Sequence, residues 1–268
     1  MNLSDSASQE RSGPGDVAAR NGQRVLTIVL PIFNEEANLA CLFDRIDGAL
    51  RKDRIPYRVI AVDDGSTDGT PDVIERYRSR TPLQLVQHNT NQGLGAAIRS
   101  GLMEAVAVSS EDDVIVTMDA DESHTPALIT RMLEAIDRGS DVVIASRFQP
   151  GSACHGVPRH RLFLSIAASI LFRVLFPTPG VRDYTCGYRA YRVTALRRAA
   201  DRYGSSLFEF DGFQCMVDLL LKLRGAGAHF SEAPVVLRYD LKKGQSKMRV
   251  WRTAIRTLHL AFQRRLGL

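Results

Sequence analysis

Residues 112–126 read DDVIVTMDADESHTP. The run Val114-Ile115-Val116 has no polar face, the mark of a strand covered on both sides. Three carboxylates, Asp119, Asp121 and Glu122, then fall within four residues. Thr125-Pro126 comes next, an N-cap residue with proline in the first helical position. One Asp here is explained by a turn in which its side chain bonds nearby backbone. Two acids one residue apart, beside a third, repel one another unless a positive charge sits among them.

Working outward, the same rhythm of apolar strand, acidic or glycine-rich turn and amphipathic helix fills the first 150 residues. Strands are expected at 25–33 (VLTIVLPIF), 57–64 (YRVIAVDD), 83–89 (LQLVQHN), 112–119 and 140–148 (SDVVIASRF). Helices are expected at 36–50, from Thr70-Pro71, at 93–108 and from Thr125 to Asp137. This alternation predicts an α/β fold, a mostly parallel Rossmann-like sheet with helices on both faces. Ligands bind such sheets beyond the carboxyl ends of the strands. Glu35-Glu36, Asp63-Asp64 and Asp119-Asp121 all lie at such ends, which points to one shared site. After residue 150 the rhythm changes. An apolar helix at 161–176, the segment DYTCGYRAYR, a helix from Asp211 to Arg224, a strand APVVLRYD and the loop LKKGQSK lead into a last helix. No internal repeat or interdomain linker is visible.

Bulk properties narrow the class. The 268 residues are 44% hydrophobic and 24% charged, ordinary for a globular protein with a full core. A net charge of +5 and a pI near 9.2 favour an anionic partner: nucleic acid, a membrane surface or a phosphorylated molecule. Cys41, Cys154, Cys186 and Cys215 form no CxxC pair, so a disulfide framework or zinc site is not expected. Residues 1–23 have no apolar signal core and read as a disordered tail. No run reaches the ~18–20 apolar residues that span a bilayer. The nearest, Leu162 to Phe176, is broken by Arg173; it reads as a buried helix or as one lying in a membrane surface. In 247–268, Trp251, Ala254, Ile255, Leu258 and Phe262 recur at helical spacing among Arg249, Arg252, Arg256, Arg264 and Arg265. That pattern fits a basic interfacial helix or a surface helix packed on the domain.

The acidic pair Asp119/Asp121 supplies hard oxygen ligands suited to Mg²⁺ or Mn²⁺ held together with substrate phosphates. AVDDGSTDGT, residues 61–70, resembles a nucleotide-binding turn, with Gly65 and Gly69 allowing close backbone approach. Gly93-x-Gly95 lacks the acidic partner of a dinucleotide fingerprint, and no phosphate-binding GxxxxGK[ST] sequence exists. The six histidines show no ligand spacing; His124 is expected to support the 119–121 loop, the others to be structural or exposed.

LPIFNEEANL, VDDGSTDGT, NQGLGAAIRSG, MDADESHTP, ASRF, DYTCGYRAYR and GQSK occur in this order over residues 25–250. With them the chain resembles family 2 glycosyltransferases of the GT-A fold, among them the dolichol- and polyprenyl-phosphate mannosyltransferases. By that resemblance Pro31, Phe33 and Glu35 pack around the nucleotide, and Val62 and Asp64 lie near base and ribose. Asp119, Ala120 and Asp121 meet the diphosphate and the metal, Mg²⁺ or Mn²⁺. Arg147 and Lys247 are cations at the phosphates, with Asp119, Asp121 and Arg147 as the catalytic set. Arg161 and Ser165, four apart and so on one helix face, meet a lipid phosphate; Asp183 and Arg189 sit beside the acceptor site. There are departures. Glu122 stands where the family often has an apolar residue, either facing the metal or pointing to solvent. The cation the family places before its GxSK loop falls on Arg238 or Lys242, because the register carries one extra residue.

The expected reaction is inverting transfer of a sugar from a nucleoside diphosphate sugar to a polyprenyl or dolichyl phosphate. GDP-mannose leads the donors and UDP-glucose or a related sugar is the alternative; a non-lipid glycan acceptor is the alternative on the other side. A lipid phosphate, largely ionised near neutral pH, needs cations to orient it rather than a general base; Arg147, Arg161 and Arg189 are the candidates. The expected partners are a nucleoside diphosphate sugar, a polyprenyl phosphate lipid and a membrane surface, with room for a separate membrane protein. The expected location is cytoplasmic, peripheral on the cytoplasmic face of a membrane. A non-enzymatic nucleotide-sugar-binding module fits less well, because the acids and cations are intact. Nucleic acid is not expected, since no motif accompanies the basic residues. The expected layout is a tail (1–23), a catalytic domain (24–246) and a basic helix (247–268).

Overall fold

The computed structural model describes residues 23–210, 212–243 and 250–266. In chain order the first half runs β1 (Leu26–Ile32), α1 (Glu36–Lys52), β2 (Tyr57–Asp63), α2 (Thr70–Arg78), β3 (Leu83–Gln87), α3 (Leu94–Val108), β4 (Val114–Thr117), α4 (Leu128–Asp137) and β5 (Val142–Ser146). The second half adds β6 (Ala153–His155), α5 (Arg159–Leu175), β7 (Arg189–Arg192), α6 (Val193–Tyr203), α7 (Cys215–Gly225), β8 (Phe230–Pro234), β9 (Val236–Arg238) and α8 (Val250–Leu266). The seven-stranded sheet has the order β3-β2-β1-β4-β7-β5-β8, and only β7 runs antiparallel to its neighbours.

The alternation expected from the sequence is the alternation found. β1, β2, β4 and β5 are buried over nearly every residue, because helices cover both faces of the sheet. Each fully buried side chain such as Ile28, Leu30, Ile60 or Ile144 contributes about 1.5–3 kcal/mol through burial. α3 approaches closely enough that a Cβ at Gly101 would lie 2.4 Å from Val29 Cγ1. The helix opened by Thr125-Pro126 starts later than expected, at Leu128, because residues 125–127 form a turn first. The expected strand APVVLRYD is divided into β8 and β9, and β9 leaves the main sheet to pair with β6.

β7 is not among the expected strands, and it shapes the site. Inserted antiparallel between β4 and β5, it begins where those strands end, so residues 183–188 reach the carboxyl edge of the sheet. There Thr117 Oγ1 donates to the Gly187 carbonyl at 2.7 Å.

α5 is a surface helix: only Ser169 and Phe172 are buried, which corrects the buried alternative. Phe163, Ile166, Ile170 and Val174, spaced three or four apart, are 39–73% exposed. α8 packs on α5; its Leu260 and Ala261 are buried, while Leu258, at the cavity, and Phe262 are exposed. Arg264 fixes α8 to Asp218 of α7 at 2.8 Å. Among the described residues no helix is long and apolar enough to cross a membrane. The 1–22 tail, the Lys247 loop and the side chains of Trp251, Ala254 and Ile255 lie outside the described residues.

Candidate active site

Three loops converge at the carboxyl edge of β1, β2 and β4. The first two are laced together. Asn34 N–H donates to Ser66 Oγ at 2.9 Å, Thr67 N–H to Asn34 Oδ1 at 2.7 Å, and Gly69 N–H to Glu36 Oε2 at 3.0 Å. Gly65 has φ +71°, and a Cβ there would lie 2.6 Å from Thr90 backbone, so the turn admits only glycine. Pro31, Phe33 and Glu35 are half-buried on this edge, and Glu35 Oε2 accepts from Asn38 Nδ2 at 2.6 Å.

Val62 is fully buried, and Asp64 is 3% exposed. Asp64 Oδ1 lies 2.7 Å from His88 Nδ1 and accepts from Gln92 N–H at 2.9 Å; Oδ2 accepts from Gly93 N–H at 2.8 Å. The second ring nitrogen of His88 meets Ser100 Oγ at 2.9 Å. Asp64 therefore holds the turn that starts α3, and neither it nor Val62 presents a side-chain surface to a ligand.

In the 119–124 turn Asp119 is open by contrast, while residues 120–124 are buried. The Asp119 side chain is 42% accessible, and its backbone N–H donates to His124 Nδ1 at 3.2 Å. The His124 ring packs tilted against that of Tyr188, so it supports the turn. Ala120 is buried between the acids. Enclosure by the surrounding walls raises the Asp119 pKa, opposed by His124 and increased by Asp121. Asp121 Oδ1 accepts from Ser123 N–H and Oγ at 3.1 and 2.6 Å, and Oδ2 pairs with Lys242 Nζ. Burial alone would push the Asp121 carboxyl up; Lys242 and Ser123 hold it below its ordinary value. Lys242 is thus the cation that reaches the acids, whereas Arg238 is tied to Asp240 at 2.8 Å. Glu122 faces neither the acids nor solvent. It is buried, with Oε2 3.3 Å from Arg45 of α1.

Beside this turn opens a cavity of about 550 Å³. It is lined by the charged and polar residues Asp119, Asp121, Lys242, Arg147, Arg161, Ser165, Thr185 and Tyr239 and by the apolar residues Leu162, Leu171, Phe213 and Leu258. Arg147 donates Nε and Nη2 to Asp183 at 2.8 and 2.7 Å and Nη2 to Thr185 Oγ1 at 2.6 Å. Burial opposes charge on both partners. Their mutual attraction nevertheless raises the Arg147 pKa and lowers that of Asp183, so both stay ionised. Arg161 Nη1 donates to Tyr239 Oη at 2.6 Å, and Ser165 Oγ lies 3.2 Å from Thr185 Oγ1. Thr185 and Tyr239 are absent from the expected site; a hydroxyl in a loop carries no sequence signal of its own.

Arg189 departs from expectation. It is 0% exposed and donates to the carbonyls of Tyr184, Cys186 and Met216. Its role is to satisfy the buried backbone of the 184–187 loop, and it cannot meet an acceptor phosphate.

A family model described as glycosyl transferase family 2 matches residues 27–199. The chain belongs to glycosyl transferase family 2. A polyprenol monophosphomannose synthase of Mycolicibacterium smegmatis is 33% identical over 90% of this chain and 86% of its own. An undecaprenyl-phosphate mannosyltransferase of Micrococcus luteus is 36% identical, covering 84% and 87%. A dolichol-phosphate mannosyltransferase of Pyrococcus furiosus is 30% identical over 84% of this chain, which spans 59% of that longer protein. Among solved structures, glucosyl-3-phosphoglycerate synthase of Mycobacterium tuberculosis, bound to Mn²⁺, UDP and glucosyl-3-phosphoglycerate, superposes with a TM-score of 0.63. It is 19% identical and covers 98% of this chain and 87% of its own, a likeness of fold. The protein is a glycosyltransferase with the α/β architecture of that family.

The donor chemistry of the turn fits a divalent cation held jointly with a diphosphate. Two carboxylates offer hard oxygen ligands, while the described residues contain no cluster of three or more His, Cys, Asp or Glu side chains that would cage a metal unaided.

Proposed function

We propose that this glycosyltransferase moves a sugar, mannose from GDP-mannose first among the donors, to a polyprenyl phosphate at a membrane surface. The observation that carries this reading is a single cavity whose lining combines strand-end carboxylates, cations, hydroxyls and apolar side chains. The names of the three relatives fit the same acceptor chemistry.

In this reading the nucleoside diphosphate lies at Asp119, Asp121 and Lys242. Mg²⁺ or Mn²⁺, when bound by the two carboxylates, neutralises charge that develops on the leaving diphosphate. Arg147 and Arg161 orient the lipid phosphate, with Ser165 and Thr185 as hydroxyl donors. One phosphate oxygen forms the new bond to the anomeric carbon as the bond to the diphosphate breaks on the opposite face. The configuration inverts, the nucleoside diphosphate leaves with the electron pair, and no proton has to be removed from the acceptor. Asp183 keeps Arg147 charged and fixed in direction. The prenyl chain runs along the wall of Leu162, Leu171 and Phe213 toward the exposed face of α5.

That face and the exposed Leu258 and Phe262 would rest in the lipid interface of the cytoplasmic side, flanked by Arg159, Arg173 and Arg265. Ile170→Ser with Val174→Ser is expected to reduce cosedimentation with anionic vesicles several-fold; unchanged cosedimentation would remove this contact.

The site assignment is tested by kinetics. Arg161→Met is expected to raise KM for a short polyprenyl phosphate about tenfold, as loss of a charge-assisted contact does, with donor KM unchanged. Equal loss toward both substrates would place Arg161 outside an acceptor site.

A further inference from the structure

Glu122 is the feature the proposed chemistry leaves unused, and it is costly. It has φ +62°, a left-handed conformation that a residue bearing a β-carbon adopts with a penalty of roughly tenfold in population. Its side chain is 6% exposed, and Oε1 is buried with no hydrogen-bond partner among the described residues. The contact that compensates comes from another element. Arg45 of α1, itself 30% exposed, reaches Oε2 at 3.3 Å. The Cys41 thiol one helical turn earlier leans on the same carboxylate, and this contact, ahead of burial, raises its pKa.

The backbone reversal at Glu122 has a direct geometric consequence. It turns the chain so that Asp121 meets Lys242 on the cavity side while its neighbour meets α1 on the other. Ser123, immediately after, closes on Asp121 with both its N–H and its hydroxyl. Strain of this kind persists only where surrounding structure over-determines it.

We propose that Glu122 is a positioning residue whose buried contact with Arg45 holds the 119–124 turn in its left-handed form, presenting Asp119 and Asp121 to the donor. The inference rests on the reading of those acids as the donor site. It makes α1, which touches no substrate in that reading, part of the support for cation and diphosphate binding.

A turn held in this way responds to substitution differently from one that merely loses packing. If Arg45 acts by keeping a non-glycine residue in the left-handed form, then its contribution disappears once residue 122 has no β-carbon. The experiment is a double-mutant cycle on the full chain, with binding of Mn²⁺ plus GDP, and of Mn²⁺ plus UDP in parallel, measured by calorimetry. Folding is checked by circular dichroism. Arg45→Met on the wild-type background should weaken nucleotide binding about tenfold, the size found when supports of metal ligands are removed. Because Arg45 is partly exposed on α1, that variant is expected to fold. On the Glu122→Gly background, Arg45→Met should change binding less than twofold. Glu122→Leu, which keeps the penalty and removes the anchor, should weaken binding at least as much as Arg45→Met.

Two results overturn the inference: an Arg45→Met protein that binds as tightly as wild type, or an equal loss from Arg45→Met on both backgrounds. The second would mean that Arg45 acts by charge or packing and not through the turn. A wild-type protein that binds neither nucleotide with Mn²⁺, or an Asp121→Ala protein that binds both unchanged, would overturn the donor-site reading and this inference with it.

Discussion

Two acidic pairs stand at the ends of buried strands of one sheet, Asp63-Asp64 where β2 ends and Asp119-Ala120-Asp121 beyond β4, and their surroundings differ. In the first, Asp64 gives both oxygens to His88 and to the N–H groups that open α3, and Asp63 Oδ1 accepts from Ser66 N–H. In the second, Asp119 stays accessible from the cavity, and Asp121 takes a lysine delivered by a loop more than a hundred residues away. One pair closes the scaffold and the other lines the cavity. The difference arises from the segments brought up against each pair. A glycine-rich turn offering N–H groups lies within reach of Asp64, whereas the antiparallel β7 brings a loop beside Asp119 and leaves space in front of it.

Substitutions break or sharpen this contrast. The largest effect is expected at the open pair. Asp121→Ala should lower turnover by about a thousandfold, the upper range for loss of electrostatic stabilisation of a leaving group. Retained metal-dependent turnover would remove the pair from the chemistry.

Next comes the Arg147–Asp183 pair. Asp183→Asn leaves a buried guanidinium without its counter-charge and should destabilise the protein by about 3 kcal/mol, read from urea unfolding. The pH dependence has a definite sign. The folded Asp183 carboxyl lies below its ordinary value, so its contribution is present above the ordinary carboxylate range and is lost as pH falls through the folded pKa. The difference between wild type and Asp183→Asn should therefore shrink in acid. A constant difference down to about pH 2, below the ordinary carboxylate range, would show that the pair is not ionised.

The smallest effect is expected at the closed pair. In Asp64→Asn an amide NH₂ replaces one of the oxygens that receive N–H groups, at a cost of about 1–3 kcal/mol in stability. Unchanged stability with a raised donor KM would reverse the assignment and make Asp64 a ligand.

Much of the fold was legible in the sequence because fully apolar strands and capped helices alternate without ambiguity over β1 to β5. Arg147, Arg161 and Ser165 were legible through the motifs around them, and all three line the cavity. Other parts were not. β7 is four residues, RAYR, too short for its period to declare itself. Arg189 reads as a cation for phosphate, and only its position between three carbonyls shows that backbone needs it first. The run 162–175 in α5 shows no clear polar face, so periodicity could not say which face was covered. The choice of Lys242 over Arg238 depends on how a loop folds back across the sheet, which no local pattern encodes.

The most direct test of the proposed activity is transfer itself. Purified protein with Mn²⁺ or Mg²⁺ is offered labelled GDP- and UDP-sugars with a short polyprenyl phosphate, and with soluble phosphorylated and glycan acceptors in parallel. The expected result is metal-dependent label in the lipid, from GDP-mannose above the other donors, and none in the soluble acceptors. Efficient transfer to a soluble acceptor, with no label in the lipid from any donor, would contradict it.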